Sequence, residues 1–167
     1  MKIHGHDKLG PSQATFRMQR GETIIELLCT ALPMGHFRTQ LRELPRPEPA
    51  LTGHPMLDAR GKAMKDPDSG ETLLETNEQT PEYRALLDAY RDRLAAYHIW
   101  LGLKHDPNVE FATKREGFKA TMADFCDALL AELAAAGFGS NDLMALSLFI
   151  LGLGGQLRAE QEQAKNV

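Results

Sequence analysis

Several side chains in this sequence are of types that can do chemistry, so their spacing decides what they are worth. His4, His6 and Asp7 bring imidazole and carboxylate ligands together, the donor types of a transition-metal site. They lie near the N-terminus without a partner motif, and a solvated lead-in is the stronger reading. His98 and His105 fall seven apart on a predicted helix, two turns along one face and too distant to share an ion as adjacent ligands do. His98 therefore reads as an ordinary interfacial side chain. Asp66-Pro67-Asp68-Ser69-Gly70 resembles the start of a calcium loop, but the following ETLLETN lacks the further acidic ligands and the closing glutamate at the required spacing. It reads as a plain turn. The run Gly152-Leu153-Gly154-Gly155 follows an apolar helical stretch rather than a strand, which makes it a poor phosphate loop. Cys29 and Cys126 each sit in an apolar run, far apart in sequence, and read as buried free thiols of a reducing compartment. With no G-x-S-x-G, H-E-x-x-H or paired C-x-x-C, we assign no catalytic residue, no cofactor and no metal, and expect a protein that is not an enzyme.

The charge balance narrows the partners. The formal net charge is −4 over 167 residues. Residues 1–50 hold seven Lys/Arg against five Asp/Glu, residues 51–112 hold seven against eleven, and the remainder holds five against seven. None of these is the clustered positive face that releases phosphate counterions, so nucleic acid is not an expected partner. The N-terminus lacks an apolar core of the secretory type, and LMALSLFILGLGG is too short and glycine-rich for a membrane span. A cytoplasmic protein is expected, without membrane association.

The elements that must position any site are led by the segment from Thr80 to Lys104. Tyr83, Leu87, Tyr90, Leu94, Tyr97 and Leu101 recur at spacings of four and three, which is one apolar stripe on a helix. Thr80 is placed to cap its first turn and Pro81 to occupy the first helical position. Upstream, the alternation in ATFRMQR, the turn pair Gly21-Glu22 and the run TIIELLCTAL suggest a β-hairpin. Ile24 to Leu32 also fits a buried helical segment, and its β-branched content favours the strand. HFRTQLREL suits two helical turns. The Pro-rich segment 44–55 then reads as a stiff, extended connector, with a proline-reading partner as the less favoured alternative. Residues 56–79 suggest a second hairpin, with turns at Gly61 and at DPDSG and with Thr72 to Leu74 pairing toward Met56 and Leu57.

Past Asp106-Pro107, where helical backbone is disfavoured, a further helix is predicted to begin near Thr113. It would carry Phe118, Met122, Phe125, Leu129 and Leu133 on one face and stop at Gly137. Ser140 is placed to cap a last helix with Leu143, Leu146, Ile150, Leu153 and Leu157 as its seam. The expectation is one α+β domain, residues 1–167: a β-rich part at 1–79 with N-terminal β-hairpins and a proline-rich crossover, then a C-terminal three-helix bundle at 80–167. Leu148, Phe149 and Leu151 lie off the seam of the last helix, and Trp100 lies just off the tyrosine stripe. These four residues are the expected partner-binding set, because apolar surface beyond what the chain can cover marks an association site.

The order of these features resembles that of small proteins encoded among the tail genes of long-tailed bacteriophages, including tail assembly chaperones. The resemblance rests on the strand pair ending at Leu32-Pro33, the Pro-rich crossover from Leu44 to Pro49 and the helix with Pro81, Tyr83, Tyr90 and Arg93. It continues through the link from His105 to Phe111 and the segment from Ala123 to Phe138. It covers most of the chain with loose, structural motifs. It implies no catalysis; it implies transient binding of the tape-measure protein in the host cytoplasm while tail tube subunits assemble. Ala164-Lys165-Asn166 is compatible with a slippery heptamer in the gene, as expected where such chaperones are made in two forms. The rival reading is a structural virion protein, a connector or tail-terminator subunit forming an oligomeric ring. A small regulatory protein is a third, which DNA sensitivity in a gel-shift measurement would favour.

Overall fold

A computed structural model describes residues 12–33 and 35–154. His4, His6, Asp7, Gly155, Leu157 and the segment 164–166 lie outside the described residues. Among the described residues the fold is α+β, with two small antiparallel hairpin sheets and four helices. The chain divides into two compact units, one formed by Arg46–Tyr90 and the other by Met1–Pro45 with Arg91–Val167.

The larger unit begins with the predicted hairpin. Strand β1 (Gln13–Arg20) pairs antiparallel with β2 (Thr23–Thr30) in continuous register from Gln13 opposite Thr30 to Arg20 opposite Thr23, closed by the two-residue turn Gly21-Glu22. The run Ile24 to Leu32 is thus strand in its first part, with Leu27, Cys29 and Thr30 buried. Helix α1 (His36–Glu43) follows. Helix α2 (Pro81–Leu103) starts as its sequence requires, with Pro81 at the first position and the Tyr83 N–H donating to Thr80 Oγ1 at 3.2 Å. Its later turns do not follow a single stripe. Ala95, Ala96, Tyr97, His98, Ile99, Leu101 and Leu103 are all buried, so this half is surrounded by protein.

Helix α3 (Met122–Ala135) starts later than the predicted Thr113. Two local causes fix the later start. Gly117 has φ +83, a left-handed conformation that interrupts helical backbone. Thr121 and Asp124 then form a capping box, in which Thr121 Oγ1 accepts from the Asp124 N–H at 3.2 Å and Asp124 Oδ2 accepts from the Thr121 N–H at 3.0 Å. The Ala112 and Thr113 amides donate to the Glu132 carboxylate at 2.6 and 2.9 Å instead of entering a helix. At the other end Gly137, at φ +90, closes α3 as predicted: the Phe138 N–H reaches Leu133 O at 3.0 Å and the Gly137 N–H reaches Ala134 O at 2.9 Å.

Helix α4 (Ser140–Leu153) is capped one residue earlier than predicted. Gly139 is the cap residue, and its N–H is held by Asp142 Oδ2 at 2.8 Å, so Ser140 is already helical. Leu143, Leu146 and Ile150 are buried as its seam. The hairpin leans on this helix, with Phe16 and Phe149 rings 5.3 Å apart. Arg20 donates to Gly137 O at 2.9 Å and pairs with Asp142. Buried Asp106 ties the end of α2 to the hairpin, accepting from the Leu28 N–H at 2.6 Å and from the Asn108 N–H at 2.8 Å. Arg93 grips Asp127 of α3 through two bonds of 2.7 and 2.8 Å. Among the described residues no single helix is long and apolar enough to cross a membrane.

The smaller unit corrects the reading of segment 44–55 as connector throughout. Only 44–49 lacks regular structure; β3 (Ala50–Pro55) pairs antiparallel with β4 (Leu74–Asn77). The five residues after Pro49 all carry an N–H, and Pro55 falls where the ladder register shifts. The predicted pairing continues the sheet: the Met56 N–H donates to Leu73 O at 2.8 Å, the Leu73 N–H to Met64 O at 3.0 Å and the Met64 N–H to Met56 O at 2.8 Å. DPDSG is a turn held by Asp66 Oδ1, which accepts from the Ser69 N–H at 2.7 Å and the Asp68 N–H at 2.9 Å. Those bonds, the Ser69 bond foremost, hold the Asp66 carboxyl below its ordinary pKa.

Candidate functional site

The feature of the larger unit best suited to taking a partner is a groove of about 400 Å³ lined by α1, α2 and α4. Its apolar sides come from Phe37 on α1, Leu94 on α2 and Met144, Leu148 and Leu151 on α4. The last three are spaced by four and three, so the α4 backbone turns them onto one face. That face lies beside the buried seam rather than within it. Met144 and Leu148 remain 47% and 43% exposed.

Beneath these side chains is a polar layer made from three helices. Ser147 Oγ lies 3.2 Å from His98 Nδ1, and Gln40 Oε1 lies 3.1 Å from His98 Nε2. An amide oxygen only accepts, so Nε2 carries the ring proton and Nδ1 accepts from the Ser147 hydroxyl. The layer is closed to water, with His98 5%, Ser147 4% and Gln40 6% exposed. Burial, and then the neighbouring His36, push the His98 pKa down to about 4. His36 stands edge-on to His98, ring centroids 6.0 Å apart, and burial lowers its pKa too. A serine bonded to a neutral imidazole is the pairing of nucleophile and base. Here the base is weak near neutrality, and Ser147 is buried in mid-helix, so the arrangement serves best to join α1, α2 and α4.

The four residues of the expected partner-binding set are not brought together. Leu148 and Leu151 line the groove. Phe149 turns the other way, half-buried against Phe16. Trp100 is half-buried in an aromatic cluster, 6.1 Å from the Tyr97 ring and 5.2 Å from the Phe125 ring, and borders a separate cavity of about 300 Å³ beside Lys104, Lys114 and Arg115. Arg115 itself stands over Phe125 at 5.7 Å. The sequence reading passed over Phe37, Gln40, Met144 and Ser147. The spacing of Met144, Leu148 and Leu151 was a usable signal, whereas nothing local marks Gln40 or Ser147 as partners of His98.

Cys29 and Cys126 are free and fully buried. Burial pushes their thiols up to about 11 and about 12, which keeps both in the unreactive protonated form. Among the described residues no group of three or more His, Cys, Asp and Glu is arranged to hold a metal ion. No protein-family model, no characterised protein and no solved structure matches this chain.

Proposed function

We propose that this protein is a non-enzymatic binding module that seats an apolar helical segment of another protein in the α1, α2 and α4 groove. On the resemblance of its sequence to tail assembly chaperones, the client is a phage tape-measure protein, held soluble in the host cytoplasm during tail assembly. The observation that carries the reading is the Met144, Leu148 and Leu151 face of α4, apolar and open beside a buried seam. An amphipathic helix lays such a face into a groove of this kind.

Co-purification with a tape-measure fragment tests the proposal. Leu148→Asp is expected to abolish capture while circular dichroism shows unchanged helical content. Undiminished capture by the variant would refute the groove as the seat. A permanent virion subunit is favoured by one observation: β1 has a single strand neighbour among the described residues, leaving its outer edge able to pair with another copy. Mass analysis of purified particles separates the two, since a chaperone is absent from them and a structural subunit is present in fixed copy number.

A further inference from the structure

We propose that α1 is an acid-releasable wall of the groove, detached from α2 and α4 when the buried histidine layer of His36 and His98 takes up protons. What release does to a client rests on the groove being a client seat; the release itself does not.

The composition of the α1 contact carries the inference. Helix α1 has eight residues, and its two fully buried side chains are His36 and Gln40, both polar. Gln40 bonds His98, and His36 meets the same ring edge-on. Helix α1 is therefore attached through imidazoles more than through hydrocarbon. His36 Nδ1 lies 3.1 Å from Pro33 O, and a carbonyl only accepts, so Nδ1 carries the proton and Nε2 is a bare lone pair. That Nε2 is buried with no partner. A proton added there finds no acceptor, and a proton added to His98 Nδ1 forces the Ser147 hydroxyl to turn from donor to acceptor. Both additions put charge into a site closed to water.

Among the described residues no carboxylate hydrogen-bonds to either ring. On α1 the carboxylate of Glu43 is engaged with Arg42 and Arg115 at 2.9 and 3.5 Å. From α2 the groove receives Arg91, another cation, and the Tyr97 ring lies 6.3 Å from His98. On α4 the described acid is Asp142, which pairs with Arg20. The groove lining holds no carboxylate among the described residues. Two imidazolium rings 6.0 Å apart would repel one another as well. Leu32 and Leu44, buried on either side of α1, anchor the chain at both of its ends.

Amide hydrogen exchange on the intact protein reads the release. Protection factors of α1 should fall about fifty-fold between about pH 7 and about pH 4.5, the linkage expected when a group of pKa about 4 regains its ordinary 6.5 on opening. Protection in α3 should persist. The α1 protection should fall log-linearly below about pH 6.5 and level off near the pH at which NMR shows the His98 ring titrating in the same samples, about 4. His98→Gln, which keeps a donor and an acceptor but cannot titrate in this range, should shrink the acid loss of α1 protection to the part that His36 alone contributes. The proposal is overturned if α1 stays protected in acid, if α1 and α3 lose protection together, or if α1 opens at a pH unrelated to His98 titration. Capture of a tape-measure fragment at about pH 7 is scored separately, so loss of the client reading leaves the release measurable.

Discussion

Gly102 on α2 lies directly against Ile150 of α4, and Gly102→Ala tests whether that approach is structural. A methyl group at this position would lie 2.6 Å from Ile150 Cδ1 and 2.8 Å from both Cγ1 and Cγ2. Carbon atoms at optimal separation sit about 3.5–4.0 Å apart, so the two helices or the whole isoleucine must shift by about 1 Å. Ile150 is fully buried, and overpacking of this kind costs about 1–3 kcal/mol. Alanine gains about 1 kcal/mol over glycine inside a helix, leaving a net loss of about 0–2 kcal/mol. Urea unfolding followed by circular dichroism measures it, with an unchanged slope indicating that only stability moved. The geometry makes a sharper demand on the double variants. Ile150→Val keeps both Cγ atoms and should not relieve the clash, whereas in an Ile150→Ala background Gly102→Ala should be neutral or stabilising. If Gly102→Ala alone stabilises the protein, the close approach of α2 and α4 is refuted.

The remaining predictions address the polar layer, a helix cap and the thiols. His98 has its pKa lowered from 6.5 to about 4, so the unfolded chain takes up the proton first. Its contribution is complete above about pH 6.5 and is lost as pH falls toward 4, about 3 kcal/mol in all; urea midpoints across this window should slope with pH in the native protein and flatten in His98→Gln. Thr121→Ala removes the Asp124 N–H acceptor and the hydroxyl bond to the Asp124 carboxylate while keeping the backbone bond to it, which should cost about 1 kcal/mol in chemical denaturation. A thiol reagent should modify neither Cys29 nor Cys126 until the protein unfolds, and rapid native labelling would contradict their burial.

Much of the architecture was legible where one residue type has one backbone consequence. Gly21-Glu22 with alternating flanks gave the hairpin, Thr80-Pro81 began α2, and Gly137 ended α3. The misreadings arose where long-range partners decide. The Thr113 amide looks available for a helix until Glu132 supplies a carboxylate for it. Ala50 to Pro55 looks like connector until β4 offers its ladder. The candidate site was half legible for the same reason: the open leucines of α4 follow from spacing, but Gln40, His98 and Ser147 meet only through tertiary packing. Trp100 and Phe149 were read as open because their covering rings, Phe125 and Phe16, come from other elements.

The two sides of the groove are therefore held by interactions of different strength. Between α2 and α4, a glycine lets Ile150 sit against the helix backbone, and such close apolar packing weakens little with pH. Between α1 and α2, the buried contact is one hydrogen bond to a neutral imidazole and a second imidazole with an unpaired nitrogen. Buried polar groups are costly whenever their pairing fails, so the α1 side is the one that conditions can loosen. A change that replaces polarity by hydrocarbon there should reverse the asymmetry. Gln40→Leu with His98→Leu, which removes both the bond and the titrating ring, is expected to make α1 exchange as slowly as α3 at every pH where the fold persists. Faster exchange of α1 in that double variant would mean that the polar layer holds the helix more firmly than apolar packing can.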